Sequence, residues 1–121
     1  MIKCIALIKR RAGISHQEFA DYYEHHHAPM ARKYLSAALH YQRRYLEPDS
    51  LEYQAEAGAA TGTENFDCLT ELWFEDRATM EATLAGLAEP GVLGVIGARG
   101  GRLIDRGTIR FFVIENESLS R

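Results

Sequence analysis

Hydrophobic and polar residues alternate with period two from Ile2 to Lys9. Ile2, Cys4, Ala6 and Ile8 form a wholly apolar side, and Lys3, Ile5, Leu7 and Lys9 a mixed one. That pattern predicts a strand with a buried face, central in its sheet. Arg10-Arg11-Ala12-Gly13 reads as a turn. From Ser15 to Leu35 the period becomes helical, and Ser15 with Glu18 has the spacing of a capping box. At about 100° per residue, Phe19, Tyr22, Tyr23, His26 and Met30 fall on one stripe, with His26 near its middle. Asp21, Glu24 and His25 point the other way. Pro29 lacks an N–H and disfavours helical geometry at Ala28. The helix is therefore expected to kink or stop there, leaving the His25 carbonyl without its donor.

Alternation returns from Leu39 to Glu47, with Leu39, Tyr41, Arg43 and Tyr45 on one face and His40, Gln42, Arg44 and Leu46 on the other. Neither face is plainly apolar, as expected of a strand at an edge or beside a polar cavity. The segment 51–65 is rich in Gly, Ala and Thr, with little periodicity, and reads as a long mobile loop. Phe66 to Phe74 is the next strand, Cys68, Thr70, Leu72 and Phe74 sharing a face. Asp76 caps a second helix over Arg77 to Leu87, with Met80, Leu84 and Leu87 as its apolar stripe. Val92 to Ala98 fits a short helix or a strand. Thr108 to Ile114 is a last strand before an acidic tail. The order is β-α-β-β-α-β, the ferredoxin-like α+β motif of an antiparallel sheet with helices on one face. The uncovered face predicts a homodimer, sheet against sheet, with a cavity in each half.

Composition narrows the function classes. The chain has 121 residues, 46% hydrophobic and 26% charged, which suits one globular domain. A net charge of −3 without a basic block argues against a nucleic-acid partner. No apolar run reaches the roughly 20 residues of a membrane span, and the first residues have too short an apolar centre for a signal peptide. Cys4 and Cys68 lack metal spacing, so a reduced cytoplasmic protein is expected.

The candidate chemistry gathers at the helix end. His26 and His27 are the candidate acid–base groups: the helix terminus raises an imidazole's pKa and burial lowers it, and the two together leave it near neutrality. No metal is expected, because adjacent histidines diverge by about 100° and none are paired at i, i+4. Tyr23, Tyr41 and Tyr45 offer hydroxyls to a phenol or ketone oxygen, and Arg43 a guanidinium to an oxyanion. Thr70 and Leu72, from the following strand, complete the candidate substrate-binding set. Asp67 and Glu71 are expected to pair with lysines of the first strand, and Trp73 to sit in the core.

IKCIALIKRRAGISHQEF, DYYEHHHAPM, RRYLEP, FDCLTELWFED and DRGTIRFFVIENE resemble, in order, the segments of the EthD domain family, within the dimeric α+β barrel superfamily. The resemblance implies a homodimer with a pocket between helix and sheet. The muconolactone methylisomerases of the same superfamily look similar at the helix. Their histidine aligns with His26 and their strand tyrosine with Tyr45, but their reactive cysteine falls at Leu72, which argues against thiol-dependent isomerisation. The implied function is a cofactor-free cyclase, dehydratase or isomerase acting on an aromatic or polyketide-like molecule. The alternatives are a non-catalytic accessory protein of an oxidative degradation pathway, or a heme-binding or monooxygenase relative.

Overall fold

The computed structural model describes residues 1–47, 66–89, 91 and 103–120. The segments 51–65 and 92–98, read above as a loop and a short element, lie outside the described residues. Strands β1 (Ile2–Ile8), β2 (His40–Tyr45), β3 (Cys68–Phe74) and β4 (Arg110–Val113) form one sheet in the order β2-β3-β1-β4. Every pairing is antiparallel. Helices α1 (His16–Tyr22), α2 (Ala28–Tyr34) and α3 (Arg77–Leu87) cover one face. The architecture is α+β and ferredoxin-like, with β1 central and β2 at an edge, as the alternation predicts.

The local signals act as read. The Glu18 N–H donates to Ser15 Oγ at 3.0 Å, and the Ser15 N–H donates to Glu18 Oε1 at 3.3 Å. Asp76 caps α3 through the Thr79 N–H at 2.7 Å. Gly13 turns the chain between β1 and α1 with φ of 95°, a left-handed conformation that favours glycine.

Register brings Cys4 opposite Leu72 and Ile8 opposite Cys68, so the apolar side of β1 and one side of β3 make a continuous surface. Two buried clusters sit on it. One joins Cys4, Leu72 and Phe74 to Ala31, Leu35 and Met80; the other joins Ile8 and Cys68 to Phe19, Tyr23, Leu103 and Ile104.

The opposite face is mixed. Glu71 there accepts from Arg44 at 3.0 Å and from the Trp73 indole, and Trp73 lies between the His40 ring and the Lys3 ammonium. Trp73 is therefore half-buried on the open face rather than in the core. Glu71 pairs with Arg44 instead of a lysine, because its neighbour across on β2 is Gln42, which brings Arg44 within reach. Asp67 is buried where β1 turns towards α1, and accepts from the Arg10 backbone N–H at 2.8 Å and His16 Nδ1 at 2.8 Å.

Candidate functional site

Between α1 and α2 the helix neither stops nor breaks. Tyr23–His27 form a single π-helical turn, closed by the Ala28 N–H donating to the Tyr23 carbonyl five residues back. Pro29 accounts for it. Its ring collides with the carbonyl four residues earlier in an α-helix, and its nitrogen leaves that carbonyl undonated. Widening the turn by one residue gives the ring room, and α2 then continues from Ala28.

The extra residue resets the helical phase. Everything after Tyr23 slips back by one position, so His27 takes the inward place that a regular helix assigns to His26. His27 is 6% exposed and stacks on the Tyr23 ring at 4.6 Å, continuing an inner ladder from Phe19. His26 is exposed and stacks on Tyr22 at 4.7 Å, forming an outer ladder. The expectation that His26 points inward at the centre of the stripe is thus corrected.

Glu24 is also redirected. Instead of pointing away with Asp21 and His25, it faces β2, where Arg43 Nε and Nη2 donate to its two oxygens at 3.0 and 2.9 Å. The Tyr45 hydroxyl donates to Oε1 at 2.9 Å. Arg43 in turn lies over the Tyr41 ring at 4.5 Å. Glu24 is the residue sequence reasoning missed; its only signal was Pro29, whose effect on the preceding turn shifts every later position.

Around this pair the structure brings together Tyr23, Tyr41, Arg43, Tyr45 and Thr70. Arg43 pairs with Thr70 across the strands and Tyr45 with Cys68, while the Tyr23 hydroxyl is in polar contact with Thr70 and Tyr41. Leu72, beside Tyr41, belongs to the apolar cluster further along β3.

Burial sets the protonation of these groups. It lifts the Tyr23 phenol well above its usual range, lifts Tyr41, and lifts Tyr45 together with the hydrogen bond to Glu24. All three remain hydroxyl donors at neutral pH. The Cys68 thiol is pushed up to about 11, again mainly by burial, which keeps it an unreactive thiol. The Arg43 hydrogen bonds hold Glu24 below the usual carboxylate range. Burial lowers the pKa of His27, and its Nδ1 meets no hydrogen-bond partner among the described residues.

Among the described residues, two cavities flank the π turn. The inner one, about 250 Å³, is lined by Glu24, Ala28, Pro29, Arg32 and Arg43. The outer one is a more open groove of about 580 Å³, bordered by Tyr22, His25 and His26 among others. His27 precedes the lining residue Ala28 in the chain and lines neither cavity itself. Among the described residues no group of three His, Cys, Asp or Glu side chains is placed to hold a metal ion. No helix among them is long and apolar enough to cross a membrane.

Residues 11–107 match the EthD domain, and the chain belongs to that family. No curated protein matches it by sequence. Among solved structures, an EthD family protein from Bacillus halodurans shares 13% identity over 97% of this chain and 100% of its own, with a TM-score of 0.61. A dimeric ferredoxin-like protein from Bacteroides fragilis shares 10% identity over 95% of each chain, with a TM-score of 0.60. SnoaB from Streptomyces nogalater, described as a cofactor-independent oxygenase, shares 14% identity over 98% of this chain and 94% of its own, with a TM-score of 0.55. At these identities the likeness concerns the fold.

Proposed function

We propose that the chain is a small-molecule enzyme that moves protons with its own side chains. His27 is its acid–base group, and the substrate is cyclic and enolisable, of the aromatic or polyketide-like kind; the outcome is cyclisation, dehydration or isomerisation. The observation that carries this reading is the buried imidazole whose Nδ1 has no hydrogen-bond partner among the described residues. Native interiors rarely leave such an atom unpaired, because its desolvation is uncompensated. Burial keeps His27 neutral near pH 7, the form able to take a proton from carbon. In this reading the protonated phenols of Tyr23 and Tyr41 donate to the enolate oxygen that forms. That SnoaB works without a cofactor on a similar fold is in keeping with chemistry carried by side chains alone.

The test is a substrate panel with three variants. His27→Ala should stay folded at a lowered melting temperature, because it empties a buried site, and lose on the order of 10²–10⁴ in rate, while His25→Ala and His26→Ala stay close to the parent. An equal loss in His26→Ala would move the site to the outer groove, and an unchanged rate in His27→Ala would end the assignment.

The working unit in this reading is a homodimer through the open sheet face. Phe112 is 49% exposed there, beside half-buried Ile5 on β1, and a stable interface buries on the order of 1,600 Å² in total. Sedimentation at micromolar concentration should give twice 13.6 kDa; a monomer would refute the dimer. The free, buried thiols of Cys4 and Cys68 fit a reducing, cytoplasmic setting.

A further inference from the structure

The inner cavity carries a charge imbalance. Glu24 is ionised at neutral pH and is matched by Arg43 through two hydrogen bonds. Arg32, one helical turn beyond Ala28 on the same wall, is exposed, and its side chain makes no ion pair or hydrogen bond among the described residues. One carboxylate against two guanidinium groups leaves the lining with a net charge of +1. The remaining wall, Ala28 and Pro29, is apolar, and Pro29 offers no donor.

Acceptor capacity adds a second constraint. Oε1 of Glu24 already accepts from Arg43 Nε and Tyr45, whereas Oε2 accepts from Arg43 Nη2 alone. A carboxylate oxygen takes about two donors, so Oε2 has room for one more. Size adds a third. About 250 Å³ lies below the roughly 300–1,000 Å³ of sites for drug-sized ligands, which limits the occupant to about one ring.

We propose that this cavity binds a small planar monoanion: a single ring bearing a carboxylate held by Arg32, with a ring hydroxyl donating to Glu24 Oε2. The ring lies against Ala28 and Pro29. The guanidinium fork suits a carboxylate, and a phosphate monoester, with nearly two charges, would oppose Glu24 at too short a range. This names the substrate class of the site proposed above and rests on that reading.

Calorimetric titration with 3-hydroxybenzoate and its neutral isostere 3-hydroxybenzamide tests it. The acid should bind the parent protein roughly tenfold more tightly than the amide, as a charge-assisted pair should. Arg32→Gln should abolish that preference without moving the melting temperature, and Arg32→Lys should restore part of it. Equal binding of acid and amide, no binding of either, or a preference that survives Arg32→Gln overturns the proposal. The same titration on His27→Ala separates the two ideas. A retained acid preference with unchanged turnover sinks only the acid–base role, and a lost preference in the parent sinks only the anion pocket.

Discussion

The two ends of the helix-covered face are built on the same pair of strands yet solve different problems. At the α2–α3 end, Cys4, Leu72 and Phe74 meet Ala31, Leu35 and Met80, with Leu84 and Leu87 packed behind. No side chain there needs a strong hydrogen bond, so shape and area decide the packing. At the π-turn end, Ile8, Cys68 and Phe19 supply the apolar floor, but Tyr23, Tyr45, Thr70, His27 and the Glu24–Arg43 pair crowd onto it. Each polar atom buried there needs a partner, and all but His27 Nδ1 among the buried side-chain atoms described have one. Since β1 and β3 run through both ends, the difference comes from the helix and from β2. A regular turn presents small apolar residues; a widened turn presents rings with polar tips.

If the apolar end carries the stability, the largest effect should come from Phe74→Ala. Phe74 is 0% exposed, and emptying such a site costs about 3–5 kcal/mol. That is a large part of the roughly 5–15 kcal/mol of an ordinary domain. Urea unfolding should show the midpoint falling steeply at unchanged slope. Tyr45→Phe at the other end removes only a hydroxyl that donates to Glu24, and Arg43 still holds the carboxylate. The expected cost is about 0.5–1.5 kcal/mol. Comparable losses from the two variants would erase the distinction between the ends.

The sequence made the apolar end legible and the polar end only partly so, for a physical reason. Alternation in β1 and β3 and the capping box depend on residues within a few positions of one another, and local rules of that kind place them. β2 was placed at an edge by the mixed character of both its faces. The helix phase past Tyr23 depends on how one turn accommodates Pro29, and a fixed 100° step carries no record of that choice. Hence Tyr23, Arg43 and Tyr45 fall where alternation and the stripe put them, while His26 and His27 exchange faces and Glu24 turns inward. Carboxylate partners are a second kind of miss. Asp67 finds Arg10 and His16 because the turn after β1 folds back over it, a tertiary contact that no spacing announces.

The smallest expected effect is a slope, and it bears directly on the polar end. Burial depresses the pKa of His27 below its ordinary value of 6.5. Between those two values the unfolded chain binds the proton that the folded chain refuses, so protonation favours unfolding. The contribution of neutral, buried His27 is therefore complete above about pH 6.5 and declines as pH falls towards the depressed folded value. Glu24 acts in a lower window. Its carboxyl is held below 4.5 by Arg43, so its contribution is present above 4.5 and fades only on further acidification. The two are separable by range. Urea midpoints measured from pH 7.5 down to pH 5 should fall for the parent protein and fall less steeply for His27→Gln. Glu24→Gln should run parallel to the parent over that interval and diverge only below it. Parallel curves for His27→Gln and the parent would mean that this imidazole takes up protons as freely in the folded chain as in the unfolded one. It would then be shielded no better than a side chain in water.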